Sequence, residues 1–562
     1  MKLNKVLTLT SAFVLSFSTI SLSCTSLFHK EDDITIKKDK YLFHNLANDY
    51  TIPTNFINLY EINNKKTKYV NLTEIINDLD GLFNLNSVLY RKRFFTNKFV
   101  LYANNCKLIL DWINDTIWVS NEGVFNFTNS SQTKDFDSNI EWLDNKIENP
   151  NNDGIVFDLK KYGIDIFYKN EKILMPLAVF NTLFCSPNYY NLYFTGDNVY
   201  GTYFLLNENM AGIENIKKNS LNNTKPTKEQ RQDTIKHLLF TMDYFYGLKN
   251  NKSINNFGSL FSENEINTLL SNNPNEFTQA YIDLLYGKLN ELHTSIHMTS
   301  FYNHYNNTLN SYNINSDKLK NFKKTREILQ KNQKNISKDY VRFYKDMAII
   351  TFNSFDVGNK NNSTPSNDTF ALMTEAMKKI NKYEYMVDPL SINPKIEGVK
   401  KIVIDLSLNG GGSIAAMGKA LGFLTNDNID ILFKNSIDNS ITSNALRVDV
   451  NNDNNYDDND AYTKYQWYVL TSNNTFSAAN LFAFLSKKYK CAKIIGQRSG
   501  GGMCSVIPIV LDDGTSFQTS SNNLLVIKDG NNYIEVENGI EPDIKIPLDY
   551  FYNDEKIYEQ IQ

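Results

Sequence analysis

Residues 401–424 read KIVIDLSLNGGGSIAAMGKALGFL, and no other stretch limits the fold as tightly. The opening run of aliphatic, largely β-branched residues suits a strand buried on both faces. Three glycines end it, and beyond Ser413 apolar side chains recur at helical spacing. The texture repeats on both sides. MAIITFNSF reads as a strand and DTFALMTEAMKKINKY as a helix; QWYVLTS and AKIIG read as strands with the helix AANLFAFLSKKY between them. Such alternation implies a mostly parallel sheet with right-handed crossover helices, so residues 341–548 are expected to form an α/β domain. Functional groups in such sheets gather at the carboxyl ends of strands, where residues 409–412 and Ser477 both fall.

Each of those strand ends is ambiguous alone. Glycines at 410–412 leave backbone N–H groups free to face a ligand, as an oxyanion hole or an anion nest would need, or they form a tight turn. GxGxxG spacing and a GK[ST] ending are absent. Ser477, in TSNNTFSAANLFAF, is either a helix N-cap or a nucleophile at a strand-to-helix elbow, and Ser472 or Thr475 could cap equally well.

The rest of the chain gives an organisation. MKLNK followed by VLTLTSAFVLSFSTISL reads as a secretory signal over residues 1–23, and Cys24 directly after SLS is similar to a bacterial lipoprotein's acylated first residue. An exported chain held at the membrane through a lipid on Cys24 is expected, with 24–38 as a tether. Residues 39–215 carry short aromatic and β-branched runs broken by Asn, Asp and Gly, and are expected to be an N-terminal mixed β-rich domain. SLNNTKPTKEQ is a linker; Thr227 and Gln230 form a capping box, and helical periodicity makes 226–340 a mainly helical cap region. Net charge of -4 across 562 residues leaves no basic footprint for nucleic acid. Beyond Cys24 four cysteines remain; Cys106–Cys185 and Cys491–Cys504 are candidate bridges, with buried free thiols the alternative.

Four blocks in order carry a resemblance. IVIDLSLNGGGS, VLTSNNTFSAANLFAF, IIGQRSGGG and NGIEPDIKI resemble the strand-plus-glycine, nucleophile, post-nucleophile and closing blocks of the C-terminal-processing, or tail-specific, serine peptidases, which include tricorn and the retinoid-binding repeats. The resemblance covers about 340–548 and implies a ClpP/crotonase-like fold. It puts the nucleophile at Ser477 and the oxyanion hole at the amides of Ala478 and of Gly411 or Gly412. One branch of the family uses a lysine base six residues past a glycine; the equivalent here, counted from Gly496, is Gly502, and the neighbouring Arg498 stays protonated. The other branch uses a histidine in a D-x-HT-like block, which His293 in NELHTSI matches, among six histidines in all. The orienting carboxylate is expected at Glu537, one residue nearer Gly539 than the family spacing, with Glu535 in reserve. Ser407, Asn480 and Leu292 stand where the family commonly has Arg, Glu and, in tricorn, a further serine. The interval after His293 is too short for a PDZ-type module.

The expected activity is therefore an extracytoplasmic serine endopeptidase acting on polypeptides through an acyl-enzyme, with no cofactor required. The alternatives are a non-catalytic peptide- or lipid-binding lipoprotein on the same fold, and an esterase or amidase. Separately, DVNNDNNYDDND offers oxygen ligands at EF-hand spacing for a structural calcium: Asp449, Asn451, Asp453, Asp457 and Asp460, with the carbonyl of Asn455. Asn454 takes the glycine position, and Asp460 is shorter than the usual Glu.

Overall fold

A computed structural model describes residues 34–93, 97–143, 146–148, 153–334 and 339–562. The signal segment 1–23 and Cys24 lie outside the described residues, as does all of the expected tether up to residue 33. Strand Ile36–Asn45 begins inside that tether, because Ile36 pairs with Ile62 across an antiparallel ladder.

The α/β pattern builds a six-stranded sheet in the order Val341–Tyr344, Met347–Thr351, Lys401–Asp405, Gln466–Thr471, Ala492–Gly496 and Ile544–Lys545. The first pair is antiparallel and the others parallel, with Ile404 opposite Val469 and Val469 opposite Ile494. Side chains alternate between faces. Ile350, Ile402, Ile404, Val469 and Ile494 join the main core, which includes buried residues of helices Thr369–Lys382, Ile414–Gly422 and Ala478–Lys488. Ile349, Val403, Leu470 and Ile495 face the other way, onto Phe551, Ile557 and Ile561 near the C-terminus and Leu329 of helix Asp317–Gln333. Burial on both faces is why these strands read as unbroken apolar runs.

The expectation of a mostly parallel catalytic sheet describes only part of the molecule. Residues 341–548 also supply most of an eight-stranded, wholly antiparallel sheet: Ser295–Met298, Ser516–Asp529, Ile429–Asn435, Ile441–Val448 and Ile140–Trp142 in line, with Cys504–Val510, Asn532–Glu535 and Lys146–Glu148 attached. The N-terminal region forms a seven-stranded and a five-stranded sheet, antiparallel except where Ile36–Asn45 meets Asn198–Tyr203. Mixed sheets and helices, mostly antiparallel, is the architecture. Helix Lys228–Phe245 starts at the Thr227–Gln230 capping box, and further helices follow at Glu263–Leu269, Pro274–Ile282 and Asp317–Gln333. Between the last two runs strand Ser295–Met298, which brings His293 to the edge of the antiparallel sheet.

Candidate active site

The turn after strand Gln466–Thr471 is tied down before it reaches Ser477. Ser472 N–H donates to Thr475 Oγ1 at 2.9 Å, Thr475 Oγ1 to the Leu406 carbonyl at 2.8 Å, and Phe476 N–H to the Asn409 carbonyl at 3.1 Å. Ser477 N–H donates to the Gly501 carbonyl at 2.8 Å. These ties hold Ser477 at φ 56° and ψ -123°, a conformation that costs a non-glycine residue about 1–3 kcal/mol. Its side chain caps nothing, although helix Ala478–Lys488 starts at the next residue. A partly exposed serine on a strained elbow at the head of a helix, capping nothing, has the geometry that a presented nucleophile would need.

The glycine turn lies against that elbow. Gly411 and Gly412 have φ of 106° and 133°. A Cβ at Gly411 would sit 2.8 Å from Ser477 Cβ and 3.1 Å from the Ala478 amide nitrogen, and one at Gly412 would overlap the Phe355 carbonyl. The two candidate amides differ. Gly411 N–H donates to Asn409 Oδ1 at 2.9 Å, and the ties of Phe355 to the Gly411 carbonyl and of Ser413 to the Phe355 carbonyl leave the Gly412 N–H outside the local ladder. Among the backbone hydrogen bonds of the turn, none is donated by Gly412 or by Ala478, the first helical residue.

His293 approaches from the antiparallel sheet. Its ring packs 4.5 Å from the Phe476 ring, and Cε1 would lie 3.1 Å from a Cβ at Gly502. The loop carrying Gly502 is the one whose Gly501 carbonyl holds Ser477, so imidazole and hydroxyl share Phe476 and residues 501–502 as neighbours. Nε2 is buried with no hydrogen-bond partner, the Ser477 hydroxyl included. Burial lowers the ring's pKa to about 4, with Glu537 pulling the other way, so the imidazole is neutral at physiological pH.

Of the two expected carboxylates, Glu537 reaches the site and Glu535 does not. Glu537 interacts electrostatically with His293, and its Oε2 accepts the Met503 N–H at 3.0 Å; burial raises its pKa. Glu535 is exposed and accepts from Asn251 at 3.0 Å. A strand face alone could not separate them; the residues turn away from the sheet after Glu535, where strand Asn532–Glu535 ends. Asn480, which departs from the family pattern, donates to the Val536 carbonyl at 3.0 Å and accepts from Ser499 at 2.7 Å, tying down the segment that carries Glu537. Ser407 meets Tyr552 at 2.9 Å, and Arg498 is exposed beside Glu541. Two groups at the site were not singled out in the sequence: Glu291 and Ser520. Glu291, two residues before His293, was visible as the acidic member of the D-x-HT-like block; Ser520 depends on strand register and gave no signal.

The acidic loop is folded on itself. Asp449 accepts from the amides of Asp453 and Asn454, Asn451 and Asp453 accept from Asp453 and Asn455, and Asp460 accepts from Val450 and Asp457. Among the described residues no group of three or more His, Cys, Asp or Glu side chains converges as a metal cage. Cys106, Cys185, Cys491 and Cys504 are free thiols, so neither candidate bridge is formed.

The sequence model of Peptidase family S41 matches residues 346–546. No curated protein matches the chain. Among solved structures, a lipoprotein from Streptococcus agalactiae is 16% identical with a TM-score of 0.35, over 60% of this chain and 97% of its own. The photosystem II D1 C-terminal processing protease is 19% identical with a TM-score of 0.27, over 38% of this chain and 50% of its own. At these identities and scores the solved structures carry no argument, and the family model covers residues 346–546 alone.

Proposed function

We propose that this chain, whose residues 346–546 belong to Peptidase family S41 and make it a serine-peptidase hydrolase, cleaves polypeptides outside the cytoplasm through an acyl-enzyme on Ser477. Ser477 Oγ attacks the peptide carbonyl while His293 Nε2 takes its proton. The C–N bond breaks, the imidazolium returns that proton to the leaving amine, and water then hydrolyses the ester. The amides of Gly412 and Ala478 receive the oxyanion, Gly411 gives the close approach, and Glu537 offsets the charge on the imidazolium. One observation carries the reading: an uncapped serine on a strained elbow, next in sequence to Phe476, whose ring packs 4.5 Å from that of a buried histidine with an unpartnered Nε2. The reading requires the hydroxyl and Nε2 to come into hydrogen-bond contact by side-chain reorientation when substrate binds.

The six-stranded sheet is read as the ClpP/crotonase-like core. Residues 1–23 and Cys24 are read as a lipoprotein signal that exports and anchors the chain; among the described residues no helix is long and apolar enough to cross a membrane. Labelling of the full chain with a fluorophosphonate probe, followed by peptide mapping, tests the reading. Label confined to the peptide containing Ser477, and lost in Ser477→Ala, is the expected result. An unlabelled, folded wild-type chain contradicts it and favours the non-catalytic binding alternative. Incorporation of radiolabelled palmitate that disappears in Cys24→Ala tests the anchor, and undiminished incorporation would refute it.

A further inference from the structure

His293 has polar support that the mechanism above leaves unused. Strand Ser295–Met298 runs antiparallel to Ser516–Asp529 with Ser295 opposite Gln518. Continuing that register outward sets Thr294 against Thr519 and His293 against Ser520. The side chains agree: Thr294 Oγ1 lies 2.9 Å from Thr519 Oγ1, and Ser520 Oγ lies 3.3 Å from His293 Nδ1. Gln518 Nε2 also donates to the His293 carbonyl at 2.8 Å. Ser520 is fully buried, and its carbonyl is held by the Gly247 N–H at 2.9 Å. Behind it lies Glu291, 4% exposed, whose Oε2 accepts the His293 backbone N–H at 2.6 Å and whose Oε1 accepts from Thr294. The Ser520 hydroxyl is among the groups that favour the ionised form of this carboxyl against its burial.

We propose that Ser520, backed by Glu291, is a positioning residue that fixes the proton of His293 on Nδ1 and so leaves the lone pair at Nε2 for Ser477. The inference rests on the Ser477–His293 reading. With the proton on Nδ1, the Ser520 oxygen 3.3 Å away is the acceptor it faces, and Glu291 holds the same residue through its backbone N–H. The opposite tautomer would bury an Nε2–H with no acceptor, which native structures avoid more strictly than an unpaired acceptor. Glu537 has a different part: its Oε2 is engaged by Met503, and it acts on the ring as a nearby charge. Cys504 also borders Ser520, and burial keeps it a thiol; Lys252 and Lys318 are the cations whose charge reaches Glu291 and Glu537.

The test uses the full chain and its Ser520→Ala, Ser520→Thr and Glu291→Gln variants. The readouts are the rate of fluorophosphonate labelling, the thermal midpoint, and the downfield proton resonance of the His293 Nδ1–H, assigned by its loss in His293→Phe. Ser520→Ala is expected to slow labelling by about 10- to 100-fold and to lose that resonance, while Ser520→Thr stays within about threefold of wild type and keeps it. Glu291→Gln is expected to slow labelling, with the Nδ1–H resonance shifted. Ser520→Ala labelling at the wild-type rate, or Ser520→Thr as slow as Ser520→Ala with both folded, overturns the proposal while leaving Ser477 as nucleophile. A wild-type chain that takes no label overturns both.

Discussion

At the scale of single residues, burial decides how His293 can work. A ring that protonates only near pH 4 is already the free base at neutral pH, so no activity is lost to the charged form until strongly acidic conditions. The labelling rate of Ser477 should therefore be flat from about pH 7 to 5 and fall through a midpoint near 4 as His293 gains its proton. A midpoint near 6.5, measured by stopped labelling across pH, would mean a solvated ring and a different site. Gly502 supplies a second residue-scale expectation. It sits at φ 88°, and a Cβ there would come within 2.6 Å of the Phe476 ring and 3.1 Å of His293 Cε1. Gly502→Ala should move both rings and cut the labelling rate by about tenfold or more, in line with the sensitivity of catalysis to ~1 Å misplacement. Wild-type kinetics in Gly502→Ala would show that the imidazole does not act where it stands.

At the scale of elements, the active-site loops are held by buried side chains rather than by ladders. Asn480, on helix Ala478–Lys488, bridges the Val536 carbonyl and the Ser499 hydroxyl, and Ser499 in turn accepts from the Ile540 amide at 2.7 Å. Asn480→Ala should cost about 1–3 kcal/mol in denaturant unfolding, by leaving a buried carbonyl unpaired, and should loosen Glu537. No change in unfolding midpoint would place the restraint elsewhere. This scale also separates what the sequence could and could not reveal. Strands such as KIVID and QWYVLT, the glycine turn and the helix after Ser477 were legible because composition and periodicity are local. The antiparallel sheet was not, since strands Ile429–Asn435, Ile441–Val448 and Ser516–Asp529 lack the strict apolar run, and the first two, a local hairpin, join the third only across a long interval of chain. His293 was found through its motif, but that Ser520 faces it follows only from the register of two strands more than two hundred residues apart.

At the scale of the molecule, the helical region has to stay fixed to the sheet that carries His293. Arg231 of helix Lys228–Phe245 is fully buried and pairs with Asp513, just before strand Ser516–Asp529, at 2.6 Å; Tyr281 also donates to Asp513 at 2.9 Å. Arg231 reaches the Leu269 carbonyl and Tyr281 as well, so one guanidinium joins three segments. Asp513→Ala would strand a buried cation and should destabilise the chain by about 3–5 kcal/mol, seen as a lower urea midpoint. A variant as stable as wild type would show that apolar packing alone fixes the helices. The main apolar core runs continuously from Phe43 to Ile540, so residues 39–215 pack into the same body as the catalytic region. The most direct test of the whole account is a crystal structure of the fluorophosphonate adduct. The account predicts phosphorus on Ser477 Oγ, its unesterified oxygen within hydrogen-bond distance of the Gly412 and Ala478 amides, and His293 Nε2 beside the adduct. An adduct on another residue, or one with the oxygen in solvent and the imidazole out of reach, would contradict it.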